Sequence, residues 1–292
     1  MPVGFWRRNF SFLLDTLFLG GLGYLLSLYA REQLIALGSY GRFVGVIIAT
    51  AYFTILNSSI ANGQTLGKRI LGIRVVDQHG QPISVARALV RSLILCSAYF
   101  LNGIEIALPP GRIDSIIISI SLIIIVFGFG SAILFFSIFD KPYRRGLHDL
   151  ITNTVVVQSE SPVPSIEKLS SNLVWIYSFI LLAIIGASVY LNARLEEFGS
   201  YARATEIMKI TNDYPGVLSV PKVFITPPYS IVIRVANPPA QFQKSLPNLC
   251  KKIQLAFPNE PTNKDINFIM IYGFDIGIAS HTETSRAQCN EK

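Results

Sequence analysis

Five runs of about 20 predominantly apolar residues constrain this chain more than anything else in it: Phe10 to Ala30, Arg42 to Ala61, Ala88 to Leu108, Ser115 to Phe139 and Leu173 to Leu191. At a rise of about 1.5 Å per residue, a helix of that length matches the ~30 Å hydrocarbon core of a bilayer. The charge content agrees. Only 15% of the residues are charged, against roughly 25% in an average soluble protein, too few to clothe an ordinary globular surface. The expected fold is an α-helical polytopic membrane protein, with the lipid bilayer as its first partner.

Lys and Arg are retained in cytoplasmic loops, so their distribution sets the orientation. Arg7 and Arg8 precede the first run; Lys68, Arg69, Arg74, Arg87 and Arg91 follow the second; Lys141, Arg144, Arg145 and Lys168 follow the fourth. The opposite connections hold Arg31, Arg42 and Arg112. The N-terminus is therefore expected inside and residues 192–292 outside. The expected organisation is a transmembrane domain over 1–158, a cytoplasmic linker over 159–172, a fifth transmembrane helix over 173–191 and an extracytoplasmic α+β domain over 192–292. The formal charge of +7 then reports topology. Residues 192–292 balance eleven basic against nine acidic side chains, which gives no reason to invoke nucleic acid.

A basic pair followed by an apolar run also resembles an export signal, but the run is longer than a typical h-region and more spans follow, so no cleavage is expected. Cys96 lies in the third run; Cys250 and Cys289 both fall in the domain expected outside. An oxidising compartment permits those two to pair, closing a loop worth ~3–4 kcal/mol if unstrained.

Between the spans, Ile73 to Asp77 is β-branched and ends in "DQHGQP", predicting a short cytoplasmic hairpin, to which Thr154 to Gln158 adds a third strand. Ser84 reads as the N-cap of a helix from Val85. Gly20, Gly21 and Gly23, the pair Gly41 and Gly45, and Gly128 with Gly130 are small residues at spacings that let helices approach closely. Past the last span, Asn192 to Thr211 reads as helix, Val217 to Val235 as two strands broken at "TPPYS", Ala240 to Phe257 as helix, and Asn267 to Ser280 as one or two strands.

Asp15 sits two turns inside the first run, seven residues after Arg8. A carboxylate in hydrocarbon is costly, about 2.5–3.5 kcal/mol on insertion scales, so Asp15 must face protein or water. The spacing puts Arg8 and Asp15 on one helix face about 10 Å apart along the axis, so Asp15 needs a partner elsewhere. Thr54, Asn57 and Ser58 near the end of the second run supply oxygens at that depth, and Arg87 and Arg91 open the third. Two readings stay open: an Arg neutralises Asp15 as a structural clasp, or Asp15 joins hydroxyl and amide oxygens to hold a small monovalent cation in competition with a proton.

The segments "GFWRRNFSFLLD", "GQTLGKRILGIRVVDQHGQPISVARALVR" and "DKPYRRGLHDLITNTVVV" resemble three blocks of the RDD family of bacterial membrane proteins, named for one Arg and two Asp. The resemblance covers about Gly4 to Val157. It implies a four-helix core in the inner membrane, with Arg8 as the Arg, Asp15 as the first Asp and one of Asp140 and Asp149, Asp140 by preference, as the second. It also implies a proposed transport role, some members being described as sodium/proton antiporters. The fifth run and the C-terminal domain lie outside it.

Arg144 and Arg145 are expected to contact anionic headgroups at ~1 kcal/mol each. His148 with Asp149 lacks the companion motifs of a metal phosphohydrolase, and "GQTLGKR" lacks the full phosphate-loop pattern. No enzyme, cofactor or resident metal is expected. The expected function is transport of a small cation or proton through a site centred on Asp15, with Arg8 and Asp140 or Asp149 tuning it. The alternative is a non-transporting scaffold whose C-terminal domain binds an envelope protein, a second copy of the chain being a further candidate partner.

Overall fold

The structure, a computed structural model, describes residues 2–102, 104, 113–160, 167–196, 199–224, 230–257 and 266–289. The end of the third expected span, the middle of the linker, and residues 226–229 of the "TPPYS" break lie outside those residues.

Helix α1 runs from Phe5 to Ala36, bent where Ala30 leaves helical dihedrals, and α2 from Gly41 to Asn57. A short α3 (Leu66–Ile70) and strand β1 (Ile73–Asp77) lead to α4 (Val85–Phe100), which Ser84 caps by accepting from the Arg87 N–H at 3.3 Å. Helices α5 (Ile113–Ile123) and α6 (Phe129–Phe139) are joined without a break by a π-helical turn, Ile124–Gly128. A short α7 (Leu147–Ile151), strand β2 (Thr154–Gln158) and the long α8 (Ser171–Glu196) follow.

Among the described residues, three helical stretches are long and apolar enough to cross a membrane: Phe5–Ala36, Gly38–Asn57 and Ile120–Phe139. A shorter apolar stretch, Ser171–Ala187, lies within α8. These helices are packed inside out relative to a soluble protein. On α1 the buried stripe is Ser11, Asp15, Leu19 and Gly23, one residue per turn, while Phe10, Leu13, Leu17, Leu22, Leu25 and Leu28 are exposed. Apolar side chains on the outside and polar ones within suit a hydrocarbon solvent.

Strand β1 does not fold back on itself as expected. It pairs antiparallel with β2, from Ile73 opposite Gln158 to Asp77 opposite Thr154, because the chain beyond Gly80 turns away and bridges at Ile83 to Ser58. Val3, Ile73, Val75, Ile83, Ala88 and Val156 form an apolar core there.

The C-terminal unit contains α9 (Gly199–Asn212), β3 (Val217–Phe224), β4 (Ser230–Val235), α10 (Pro239–Phe242), α11 (Leu246–Ala256), β5 (Asn267–Asp275) and β6 (Ser280–Gln288). Its sheet is ordered β3-β4-β5-β6, with β4 and β5 parallel and the outer pairs antiparallel. Pro221 is tolerated in β3 because that strand is an edge and its register shifts there. Ile231, Ile233, Leu249, Ile253, Phe268 and Met270 fill the core. Cys250 and Cys289 stand at disulfide distance, their Cα atoms 5.6 Å apart.

The turn between β5 and β6 leaves this core. Phe274, Ile276 and Ile278 are buried instead among Leu19, Ala49, Phe53, Cys96 and Phe100 of α1, α2 and α4. Arg42 holds the turn by donating to Asp275 from Nε at 3.1 Å and Nη2 at 2.7 Å. The glycines that read as helix-packing residues admit this backbone. A Cβ at Gly45 would lie 1.8 Å from the Ile276 carbonyl oxygen, one at Gly41 2.8 Å from that of Asp275, and one at Gly23 2.8 Å from the Ala279 Cβ.

Candidate functional site: a buried charge cluster at one end of the bundle

Asp15 is fully buried, but its partners come from Tyr52 on α2 and from the connection rather than from the expected residues. Thr65 Oγ1 donates to Oδ2 at 2.6 Å, while Tyr52 Oη and the Gly67 N–H donate to Oδ1 at 2.7 and 2.8 Å. The same groups organise α3: Thr65 accepts from the Lys68 N–H at 3.3 Å as its N-cap, and Tyr52 Oη accepts from the Leu66 N–H at 3.2 Å. The carboxylate thus pins the first turn of α3 against α1, where negative charge is favoured. Only glycine fits at 67, since a Cβ there would sit 2.2 Å from the Ser11 carbonyl oxygen.

Asn57 and Ser58 do not reach Asp15. Asn57 Oδ1 accepts from Lys68 Nζ at 2.9 Å, and Ser58 Oγ accepts from the Ile60 N–H at 3.3 Å to start a 3₁₀ turn. Lys68 is buried, with a second, longer bond of 3.4 Å from Nζ to Thr65 Oγ1. Burial lowers its ammonium to about 7, Arg91 and Arg8 pushing the same way while Asp15 and Asp149 oppose.

Arg91 neutralises Asp149 rather than Asp15, donating to Oδ1 from Nε at 3.0 Å and Nη2 at 2.7 Å. Arg8 donates to Oδ2 of the same carboxylate and to the Arg144 carbonyl. Thr154 Oγ1 and the Gly146 N–H complete the shell of Asp149, each at 3.2 Å. Burial alone would push this carboxyl up, but the Arg8 and Arg91 guanidiniums hold it well below the usual carboxylate range. His148 Nε2 lies 3.5 Å from Asp149 Oδ2, and burial takes its imidazole down to about 3, so it is neutral.

The favoured Asp140 belongs to a separate pair. It binds Arg145 through Nε at 2.7 Å and Nη2 at 3.0 Å. Arg145 is correspondingly buried and stacks 5.1 Å from the Tyr143 ring centroid, so it is not the exposed headgroup contact expected of it. Arg144, half-buried with a positive φ of 56°, turns back to donate to the Ile138 carbonyl.

A cavity of about 70 Å³ opens between these groups, with Arg8, Ser11, Lys68, Arg91 and His148 on its polar side and Phe12, Phe53, Leu95 and Ile133 on its apolar side. Sequence reasoning found Arg8, Asp15, Arg91 and Asp149 but missed Tyr52, Thr65 and Lys68. The signal for Lys68 was present in "QTLGKR", a Lys three residues after a capping Thr.

No solved structure matches this chain. An uncharacterized protein of Bacillus subtilis (strain 168), YxaI, is 26% identical over 178 residues, an alignment covering 53% of this chain and 97% of that protein. The profile of the RDD family matches residues 2–153, the segment that supplies every member of the charge cluster, and the chain belongs to that family.

Proposed function

We propose that this chain is a multi-pass protein of the bacterial plasma membrane that moves a small ion, coupled to a proton, through its helix bundle, and that it is not an enzyme. The observation carrying this reading is the cluster of Arg8, Lys68, Arg91 and His148 around a cavity among apolar helices, with Asp15 and Asp149 buried beside it. Ionisable groups in such a place are expensive and mark ion and proton pathways. In the full reading the chain spans the bilayer five times, with the N-terminus and the charge cluster on the cytoplasmic side. The Cys250–Cys289 pair supports an oxidising, extracytoplasmic place for residues 192–292.

The geometry supports a different division of roles from one centred on Asp15. Both Asp15 oxygens already accept from neutral donors, so Asp15 acts as the clasp that holds α3. A sodium ion there would have to displace Tyr52, Thr65 or Gly67. Lys68 is the group poised to exchange a proton near neutral pH.

Liposomes containing the full chain and an internal pH dye test this. Imposed gradients of sodium, lithium, potassium or chloride salts are expected to drive proton movement that Lys68→Met abolishes. Absence of movement for every ion, or full movement in Lys68→Met, would overturn the assignment. The scaffold alternative makes the opposite forecast: no flux, and an envelope partner recovered by crosslinking only while residues 192–292 are present.

A further inference from the structure

We propose that the cavity beside Lys68 and Arg91 is a binding site for a small monovalent anion. The proposal deepens the ion-moving reading and rests on it for its purpose, but binding is measured without flux.

Charge counting within the cluster comes first. Arg8, Lys68 and Arg91 line the cavity, whereas neither Asp15 nor Asp149 does. Asp149 turns its oxygens to Arg8, Arg91, Gly146 and Thr154, and Asp15 turns its own to Tyr52, Thr65 and Gly67. With His148 neutral, three cations stand against two carboxylates. When Lys68 is protonated, one positive charge is left over in a water-poor interior, where an uncompensated ion is costly.

Unused donors point the same way. Arg91 Nη1 and Ser11 Oγ are buried with no hydrogen-bond partner among the described residues. Lys68 Nζ carries three N–H bonds and meets two acceptors, the second at 3.4 Å. Arg91, Lys68 and Ser11 are 2%, 8% and 1% exposed, so bulk water does not serve them. A single anion among the three would supply the missing charge and the missing acceptors together.

The walls narrow the class. A volume of about 70 Å³ holds only a few water-sized groups, at ~10–15 Å³ for each probe sphere. Phe12, Phe53, Leu95 and Ile133 stand beside the polar Ser137 and Tyr99, and with at most one positive charge to balance, such a wall favours a monovalent anion, a halide or a short carboxylate, over a strongly hydrated divalent one.

Chloride-35 line broadening on the purified full chain in detergent, at fixed ionic strength, is the direct probe, with sodium acetate and sodium sulfate as competitors. Saturable broadening, displaced by acetate if the site takes carboxylates and undisplaced if it selects halides, is expected; sulfate does not compete in either case. Lys68→Met weakens binding about tenfold. Should that variant fail to fold, Ser11→Ala weakens it about threefold.

Binding in the unaltered chain also falls between pH 6 and 9. Lys68 then loses its proton among the charges of Arg8 and Asp15 on α1, Arg91 on α4, and His148 and Asp149 on α7. No saturable broadening, equal competition by sulfate, or a signal that follows the cation overturns the proposal. So do unchanged affinities in both variants. Binding without flux upholds the site and removes the transport reading, whereas flux without binding removes the site alone.

Discussion

The two ends of this helix bundle close the same gap between α1, α2 and α4 by opposite means. At one end the gap is bridged by side chains: Asp15 clamps α3, and Asp149 ties α1 to α4 through Arg8 and Arg91. At the other end it is filled by backbone, the β5–β6 turn seated against Gly23, Gly41 and Gly45. Directional charged bonds fix register at the first end; at the second, shape fixes it, helped by the Arg42–Asp275 pair. Both solutions answer one demand, that backbone polar groups at membrane depth be satisfied by protein. The turn manages this internally, Ile276 N–H donating to the Ala279 carbonyl at 3.0 Å and Gly277 N–H to Asp275 Oδ1 at 2.9 Å.

The sharpest way to break the charged end is Asp149→Asn, which strands two buried guanidiniums. A loss of about 3–5 kcal/mol is expected, seen as a collapse of thermal stability in detergent. The shape-filled end should yield next to Gly45→Val. The clash with Ile276 ejects the turn and forfeits chiefly the burial of Ile276, worth about 1.5–3 kcal/mol. A cysteine at Ile278→Cys reports it: shielded from a water-soluble maleimide in the parent, labelled rapidly once Gly45→Val is added. Gly21→Ala, where nothing lies within 4 Å, should stay within about 0.5 kcal/mol and leave labelling unchanged.

Changing pH should affect the two ends unequally. Lys68 is lowered from 10.5 to about 7 in the folded chain, so the unfolded chain binds more protons between those values and stability rises with pH across that window. Lys68→Met should flatten the rise. Asp149 acts in acid: its stabilisation is complete above the ordinary carboxylate range and is lost as pH falls through its depressed folded value. A small effect belongs to Arg42→Ala. Its bridge to Asp275 is only half-buried and should cost about 1 kcal/mol or less, raising maleimide labelling slightly without freeing the turn.

Local pattern made part of this readable in advance. The β-branched Ile73–Asp77 and Thr154–Gln158 and the Ser84 cap each depend on neighbours in sequence, and each appears in the structure, as do three of the apolar runs as helices long enough to cross a membrane. That Asp15 had to be shielded followed from its cost in hydrocarbon; which groups shield it did not. Tyr52 depends on the rotation of α2, and Thr65 and Gly67 depend on a chain reversal that returns α3 to α1. Lys68 was counted toward orientation because a basic residue in a connection looks the same whether it is solvated or buried. Asp140 and Asp149 lie nine residues apart among the same Arg neighbours, and only packing decides that Asp149 meets Arg8. A glycine stripe, finally, fits a helix or a turn equally well. Strand β6 is so polar, "SHTETSRAQ", that nothing in it announces a hairpin whose tip leaves its own domain.

The seated turn also bears on how the molecule is made. Phe274 to Ala279 emerge from the ribosome long after α1, α2 and α4 are complete, so the cleft they fill stands vacant for most of synthesis. The bundle's maturation therefore waits on the carboxyl-terminal hairpin. A nascent chain arrested before residue 274 would display a greasy, glycine-floored slot, an address that quality-control proteases and membrane chaperones could read as unfinished.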